Sequence, residues 1–537
     1  MRPHITLAGK VATLAAIALF CLPQLSFAQE KALTLSPSAE KMVKSLDRKA
    51  DKMRNAIRNT RSAVVPEQFN RAFFISAEGD DQNDGLSPRT PIKTLDHLNS
   101  LDLKAGDAVF FRRGDTWRGR LATRGEVTYS AYGKGTKPQI FGSPCDAAVE
   151  GEWRETDAKN VYVYERELSA DVGTLVFNEG EACALKVMMI RQPDGTTLHI
   201  DTREPFASYR DLKRDLEFYH DYKDAKRVYL YSAKGNPSKR FKSIELLVKG
   251  NIIQARGKVH IDNLCIKYGG AHGIGSGTTS GLKVTNCELG WIGGSIHGEA
   301  IFGRSHPTRY GNAIEIYGGC EYFEVDNCYI YQIYDAAITH QHQGDTDEIL
   351  VMKDIIYSNN LVEDCVYSIE YFLSRPGTND AHYMENIVMR DNLLRRAGFG
   401  WGKQRPDKDT PAHIKSWGHH NNRATNFIIS NNIFDRCTHD LLNIFTQKPE
   451  HLPTLTGNTY IQYKGASAGL NGAKEESFGA KEAAASQNEA AGSQNGTAAS
   501  KSDATAKGAT AKRYIFDENI ADILRTLFNE TSGTIIY

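Results

Sequence analysis

The sequence predicts an all-β chain whose central part winds as a solenoid of stacked parallel strands, and three observations predict it. First, Asn-rich turns recur: Asp262-Asn263, Asn286-Cys287, Asn327-Cys328, Asn359-Asn360, Asp391-Asn392, Asn431-Asn432 and Gly457-Asn458. Second, when the second residues of these pairs are aligned, apolar residues alternate around them. Cys265, Leu289, Ile330, Val362, Leu394, Phe434 and Tyr460 stand two places later. Leu282, Phe323, Ile355, Ile387 and Phe427 stand five places earlier, with Val284, Val325, Tyr357, Met389 and Ile429 three places earlier, as the inward face of a strand requires. Third, the markers are 24, 41, 32, 32, 40 and 26 residues apart, a basic coil of roughly two dozen residues lengthened by insertions, each coil touching only its neighbours.

The turns have a physical cause. An Asn amide at a sharp bend satisfies turn backbone groups and reaches the same residue one coil away. Cys287 and Cys328 share this slot, and Cys365, Ala397 and Cys437 share the slot five residues on, so small buried residues are expected there. Beyond Cys21 there are eight cysteines, the other three being Cys145, Cys183 and Cys320. An even count permits disulfides, but the density is too low for a stapled scaffold, and buried thiols are expected for most.

The elements follow in order. Residues 1–28 read as a signal peptide, with Arg2, His4 and Lys10, the apolar run Val11 to Leu22 and the small-x-small site Ser26-Phe27-Ala28. Residues 29–69 read as a basic helical or mobile arm, solvated on its surface. Residues 70–145 hold a cap and first strands, and 146–247 an inserted β-rich unit with strands such as Val161-Tyr162-Val163-Tyr164. The parallel core occupies 248–464, a low-complexity insert too poor in apolar residues to fold occupies 465–512, and a short C-terminal segment occupies 513–537. The chain carries 65 Lys+Arg against 65 Asp+Glu, which argues against nucleic acid as a partner. No later stretch approaches eighteen apolar residues, so a secreted or periplasmic protein without a membrane span is expected, as a monomer.

With the repeat in view, residues 70–464 resemble the right-handed parallel β-helix of the pectate-lyase-like superfamily of exported polysaccharide-active proteins. The resemblance is carried by Phe74-Ile75-Ser76-Ala77-Glu78-Gly79-Asp80-Asp81 with Gly85, Pro91 and Leu95, by Lys104-Ala105-Gly106-Asp107, and by Arg113-Gly114-Asp115-Thr116-Trp117. Gly235-Asn236-Pro237 with Ser243-Ile244-Glu245, and Arg309-Tyr310-Gly311-Asn312-Ala313-Ile314-Glu315, add to it. It implies a polysaccharide or oligosaccharide partner and leaves the reaction open, because such folds carry lyases, hydrolases and binding modules.

The chemistry is sought on a second strand of each coil: Ala313-Ile314-Glu315-Ile316-Tyr317, Ala337-Ile338-Thr339-His340-Gln341, Ser368-Ile369-Glu370-Tyr371-Phe372, His413-Ile414-Lys415-Ser416-Trp417 and Leu441-Leu442-Asn443-Ile444-Phe445. With the Ile and Leu positions inward, period two places Glu315, Thr339, Glu370, Lys415 and Asn443 on one exterior stripe flanked by Tyr317, Gln341, Phe372, Trp417 and Phe445. Acids, a base and amides beside rings suit a sugar cleft. The longest insertions, 292–312, 341–353, 373–385 and 398–412, adjoin this strand and bring Arg304, His306, Arg309, Tyr310, His382, Trp401 and Arg405, with His419 and His420 close behind Lys415. That basic wall suits an anionic glycan as well as it suits loop solubility.

Three readings follow. In a glycoside hydrolase, Glu315 and Glu370 work as a carboxylate pair two coils apart, with Asp335 in reserve. In a polysaccharide lyase, Lys415 or a loop His takes the C5 proton and Glu315 with Glu370 holds Ca²⁺; the hydrolase needs no cofactor. In a glycan-binding or adhesin β-helix there is no turnover. Arg304, Arg309, Tyr310, Tyr317, Thr339, Gln341, Trp417, His419 and Asn443 are the expected substrate contacts, and no zinc set is expected: His340 and His342 read as one core and one loop histidine.

Overall fold

The computed structural model describes residues 34–192, 194–298, 307–342, 348–373, 381–405, 410–417, 422–446, 449–469 and 514–537. The signal-peptide reading, Arg304, His306, His419, His420 and residues 470–513 of the low-complexity insert lie outside them.

Three long sheets carry the chain, two of ten strands and one of eight, and every pairing within them is parallel. One coil visits each in turn: Phe323–Asp326 in the first sheet, Tyr329–Ile333 in the second, Ala336–His342 in the third. This is the right-handed parallel β-helix that the sequence predicts, with crossovers in the sense parallel connections take. Its interior is the predicted apolar ladder: Leu282, Phe323, Ile355, Ile387 and Phe427 are register partners in succession, and all are buried.

Each Asn-rich pair divides two tasks. The first residue makes the bend in the left-handed region, where Asn, Asp and Gly are tolerated: Asn286, Asn327, Asn359, Asp391 and Asn431 have φ of 54°, 51°, 57°, 58° and 55°, and Gly457 has 69°. The second residue builds the ladder. Asn360 Nδ2 donates to Asn392 Oδ1 (3.0 Å), Asn392 Nδ2 to Asn432 Oδ1 (2.9 Å) and Asn432 Nδ2 to Asn458 Oδ1 (3.1 Å). Cysteine continues it more weakly, Cys328 Sγ accepting the Cys287 backbone N–H at 3.4 Å.

At the first marker the expected alignment slips by one residue. Asn263 is the left-handed residue there (φ 62°), so it matches Asn286 rather than Cys287, and Cys265 faces Glu288 while Ile266 faces Leu289. Asp262 is not part of that turn; it accepts from Ser130 Oγ, Thr285 Oγ1 and Asn286 Nδ2, each at 2.8 Å.

The basic arm is helical, and one face of it is buried rather than solvated. Ser36 caps helix Pro37–Asn59, which lays Leu46, Ala50 and Ile57 on Tyr329, Leu361, Leu393 and Ile461 of the second sheet. Its charges bind acids: Arg54 pairs with Glu363 (2.6 Å), Arg58 binds Glu288 through two bonds (3.0 and 2.8 Å), and Asp47 pairs with Arg395 (2.6 Å).

Between strand Gln139–Phe141 of the second sheet and Ile253–Ala255 of the third, the chain builds smaller, mainly antiparallel sheets around Trp153, Tyr164, Leu175, Phe218 and Leu230. This unit is fastened to the solenoid through buried polar groups. Lys186 Nζ donates to Asp171 and to the Val172 carbonyl, and Asp171 accepts the Ile296 N–H. Gly173 allows the approach: a Cβ there would lie 2.2 Å from the Gly293 carbonyl oxygen.

The insert begins later than its composition suggests. Residues 465–469 pair with the C-terminal segment, Gly465 N–H donating to Phe516 O (3.0 Å) and Ala468 N–H to Tyr514 O (2.8 Å). Phe516, Ile520, Leu524 and Phe528 close the core beside Tyr460, and Thr534–Ile536 adds a last strand to the second sheet. All eight described cysteines are free thiols, six of them buried, as expected of small interior residues.

Candidate active site

The stripe is real as a register: Glu315, Thr339, Glu370, Lys415 and Asn443 are partners on successive strands of the third sheet. It is not a solvent-facing stripe. These five residues are 6%, 0%, 4%, 3% and 5% exposed, because groups at the bend before the strand and on the neighbouring loops lie against them.

Glu315 is held by its neighbours through both carboxylate oxygens. Its Oε2 accepts from Gln341 Nε2 (2.7 Å) and from Asn312 Nδ2, and its Oε1 is 3.3 Å from His272 Nε2. Burial pushes this carboxyl up to about 7, and the Asp335 charge pushes the same way against the two amide donors. Asn312 is itself fixed, its Oδ1 accepting the Ala336 N–H (2.8 Å). Its backbone N–H donates to His272 Nδ1 (3.1 Å), which places the imidazole hydrogen on Nε2. Burial holds His272 down at about 4, so it is neutral at ordinary pH. Tyr310 meets the His272 ring edge-on at 5.2 Å; burial and the Glu315 charge raise its phenol to about 12.

Glu370 lies two strand steps from Glu315, about 9–10 Å along the sheet at 4.8 Å per step. Its Oε1 accepts Trp417 Nε1–H (2.8 Å). Lys415, next on the row, holds its Nζ 3.9 Å from the Trp417 ring centroid and 5.8 Å from that of Tyr367, and donates to Thr410 Oγ1 (3.3 Å). Asp335 binds Arg405, whose guanidinium stands 5.9 Å from the Tyr367 ring. Two buried acceptors on the row, Thr339 Oγ1 and Asn443 Oδ1, have no partner among the described residues, while Asn443 Nδ2 donates to Asp440 (3.0 Å).

The structure thus brings Glu315, Asp335, Glu370, Lys415, Tyr310, Thr339, Gln341, Trp417 and Asn443 to one strip, with Tyr317 at its exposed flank beside His342. Gln341 serves the acid rather than open solvent. Arg309 departs from the expectation: it is 1% exposed, donates to the carbonyls of Gly294 (2.6 Å) and Gly173 (2.9 Å) and stacks on Tyr334, so it fastens the inserted unit. Trp401 likewise packs beside Trp291 and Tyr334. His340 is a core histidine, as read, bonded to Tyr357 OH (2.8 Å).

The sequence alone gives neither His272 nor Asn312 a place in the site, Asn312 standing only within the segment Arg309 to Glu315. They precede Gly275 and Glu315 by three places, where period two assigns them inward; for Asn312 the bend at Gly311 (φ 136°) turns it back to the acid. The signal was available in the matching turns Gly270-Ala271-His272 and Tyr310-Gly311-Asn312. Among the described residues, no group of three or more His, Cys, Asp or Glu could hold a metal ion.

No family model and no curated protein matches the sequence. Among solved structures, XylC in complex with xylose is similar at 11% identity over 74% of this chain and 70% of its own, with a TM-score of 0.42. The GH136 lacto-N-biosidase from Eubacterium ramulus is similar at 10% identity over 80% and 69%, with a TM-score of 0.29. The alginate lyase from Paenibacillus sp. str. FPU-7 is similar at 11% over 68% and 85%, also with a TM-score of 0.29. These likenesses are remote; the fold rests on the strand pairing and the chemistry on the chain's own residues.

Proposed function

We propose that this protein is an exported glycoside hydrolase acting on a polysaccharide or oligosaccharide. The observation that carries the reading is Glu315, a buried carboxyl raised to about 7 on the same row as a second carboxyl, Glu370. A pair of acids whose environments differ is what general acid–base cleavage of an acetal requires. Glu315 gives its proton to the glycosidic oxygen as the bond to the anomeric carbon breaks. Water adds to that carbon and gives its proton to the Glu370 carboxylate. The spacing of two strand steps leaves room for water between them, which supports inversion. Thr339, lying between the two acids, offers its buried hydroxyl to a sugar oxygen. Tyr317, Trp417 and Asn443 are the remaining sugar contacts in this reading.

The lyase reading would instead use Lys415, whose Nζ lies between the Trp417 and Tyr367 rings, as the base. Export rests on residues 1–28; among the described residues no helix is long and apolar enough to cross a membrane.

The test is a panel of neutral and uronic glycans with product mass analysis. Saturated reducing ends are expected, and Glu315→Gln and Glu370→Gln should each lose about 10²–10⁴ in kcat. Unsaturated ends would replace hydrolysis by elimination, and wild-type rates in both variants would sink the assignment.

A further inference from the structure

The hydrogen bonds around Glu315 distinguish its two oxygens, and this deepens the reading of Glu315 as the acid. Oε2 accepts two N–H groups, from Asn312 and from Gln341, so both of its lone pairs are occupied. The Asn312 amide cannot turn round without loss. Asn312 Oδ1 is held by the Ala336 N–H, which leaves its Nδ2 facing the acid. Gln341 reaches back from the neighbouring strand, two places beyond Thr339, the register partner of Glu315. We infer that Asn312 and Gln341 are positioning residues that make Oε2 the carbonyl oxygen of Glu315 and confine its transferable proton to Oε1.

The surroundings of Oε1 agree. It faces His272 Nε2 at 3.3 Å, and that nitrogen carries the imidazole hydrogen, because Nδ1 is occupied by the Asn312 backbone N–H. His272 therefore cannot accept the acid's proton, which stays available to a substrate oxygen. Both amides are neutral, so they orient the carboxyl without the ionising pull of a cation. The charged and titratable groups around it are Asp335 with its partner Arg405, His272 and Tyr310.

The test needs no substrate. The protonated carboxyl band of Glu315 is followed by infrared spectroscopy across pH on the full chain, and identified by its loss in Glu315→Gln. Gln341→Met removes one donor from the carbonyl oxygen, so the band should move to higher frequency. The same change removes a bond that favours the ionised form, so its titration midpoint should rise by roughly one pH unit. Asn312→Asp keeps the acceptor for Ala336 and replaces the donor, and should raise the midpoint further; it serves if Gln341→Met does not fold. An unmoved band with a wild-type midpoint overturns the inference. Activity of Glu315→Gln at the wild-type rate would instead overturn the hydrolase reading and leave the infrared result standing.

Discussion

Gln341 Nε2 donates to Glu315 Oε2 across 2.7 Å, so a residue that the stripe assigned to substrate holds the proposed acid instead. Asp335 acts on the same carboxyl in the opposite sense, its charge raising what the amide lowers. Asp335→Asn should therefore move the Glu315 titration to lower pH. For a shift of one unit the protonated fraction at pH 7 falls roughly fivefold, and kcat at pH 7 should fall with it. The alkaline limb of the kcat profile gives the measurement; a limb that stays in place or moves up contradicts the coupling.

Stability follows the same group with a definite sign. Glu315 titrates at about 7 when folded and near its ordinary 4.5 when unfolded, so the unfolded chain releases this proton first as pH rises. The native state loses stability between about pH 4.5 and 7 and no more beyond. Glu315→Gln should be more stable than wild type at pH 8, by up to about 3 kcal/mol. Thermal unfolding at pH 4 and pH 8 checks this; the gain should be absent at pH 4.

Asn392 sits mid-ladder and bonds both ways. Its Oδ1 accepts the Asn360 N–H and Asn360 Nδ2, both at 3.0 Å, and its Nδ2 donates to Tyr357 O and Asn432 Oδ1, both at 2.9 Å. Asn392→Ala leaves buried donors and acceptors unpaired and should destabilise by about 2–4 kcal/mol, read by denaturant unfolding. Asp391→Gly, at the left-handed position, should be tolerated within about 1 kcal/mol.

Arg309 separates a structural from a substrate-binding role. Arg309→Met removes the donors to Gly173 and Gly294, and should loosen the inserted unit by about 2–4 kcal/mol. Limited proteolysis should then cut within residues 146–247 of the variant before wild type. A raised KM with unchanged protease resistance would return Arg309 to the cleft.

How much of this was legible can be argued from single residues. The apolar ladder and the Glu315 to Asn443 register follow from period two within each strand, a local rule that sequence displays directly. Three kinds of fact escaped it. The burial of the stripe depends on what packs over it from elsewhere. His272 and Asn312 lie beyond the bend, where alternation no longer tells inside from outside. The fate of Arg309 depends on where residues 146–247 dock, and its charge alone suits a carbonyl and a sugar equally. The partners of the basic helix escaped for a related reason: its acids, Glu288 and Glu363, are remote in sequence and adjacent only in the folded coils.

The asparagine ladder has a direction, each amide donating one N–H to the next ladder residue toward the C-terminus, and Asn458 finds its acceptor outside the ladder. Glu530 supplies it: its Oε2 accepts from Asn458 Nδ2 (2.9 Å) and from Tyr460 OH (3.0 Å), while its Oε1 accepts the Gly457 N–H (2.8 Å). In the same segment Thr534–Ile536 covers the edge of Thr459–Ile461. Remove both and the end of the solenoid becomes a template, with a directed donor and an open strand edge waiting for the next layer. Residues 514–537 thus satisfy the last ladder donor and pair the last described strand of the second sheet, far in sequence from the Glu315 row.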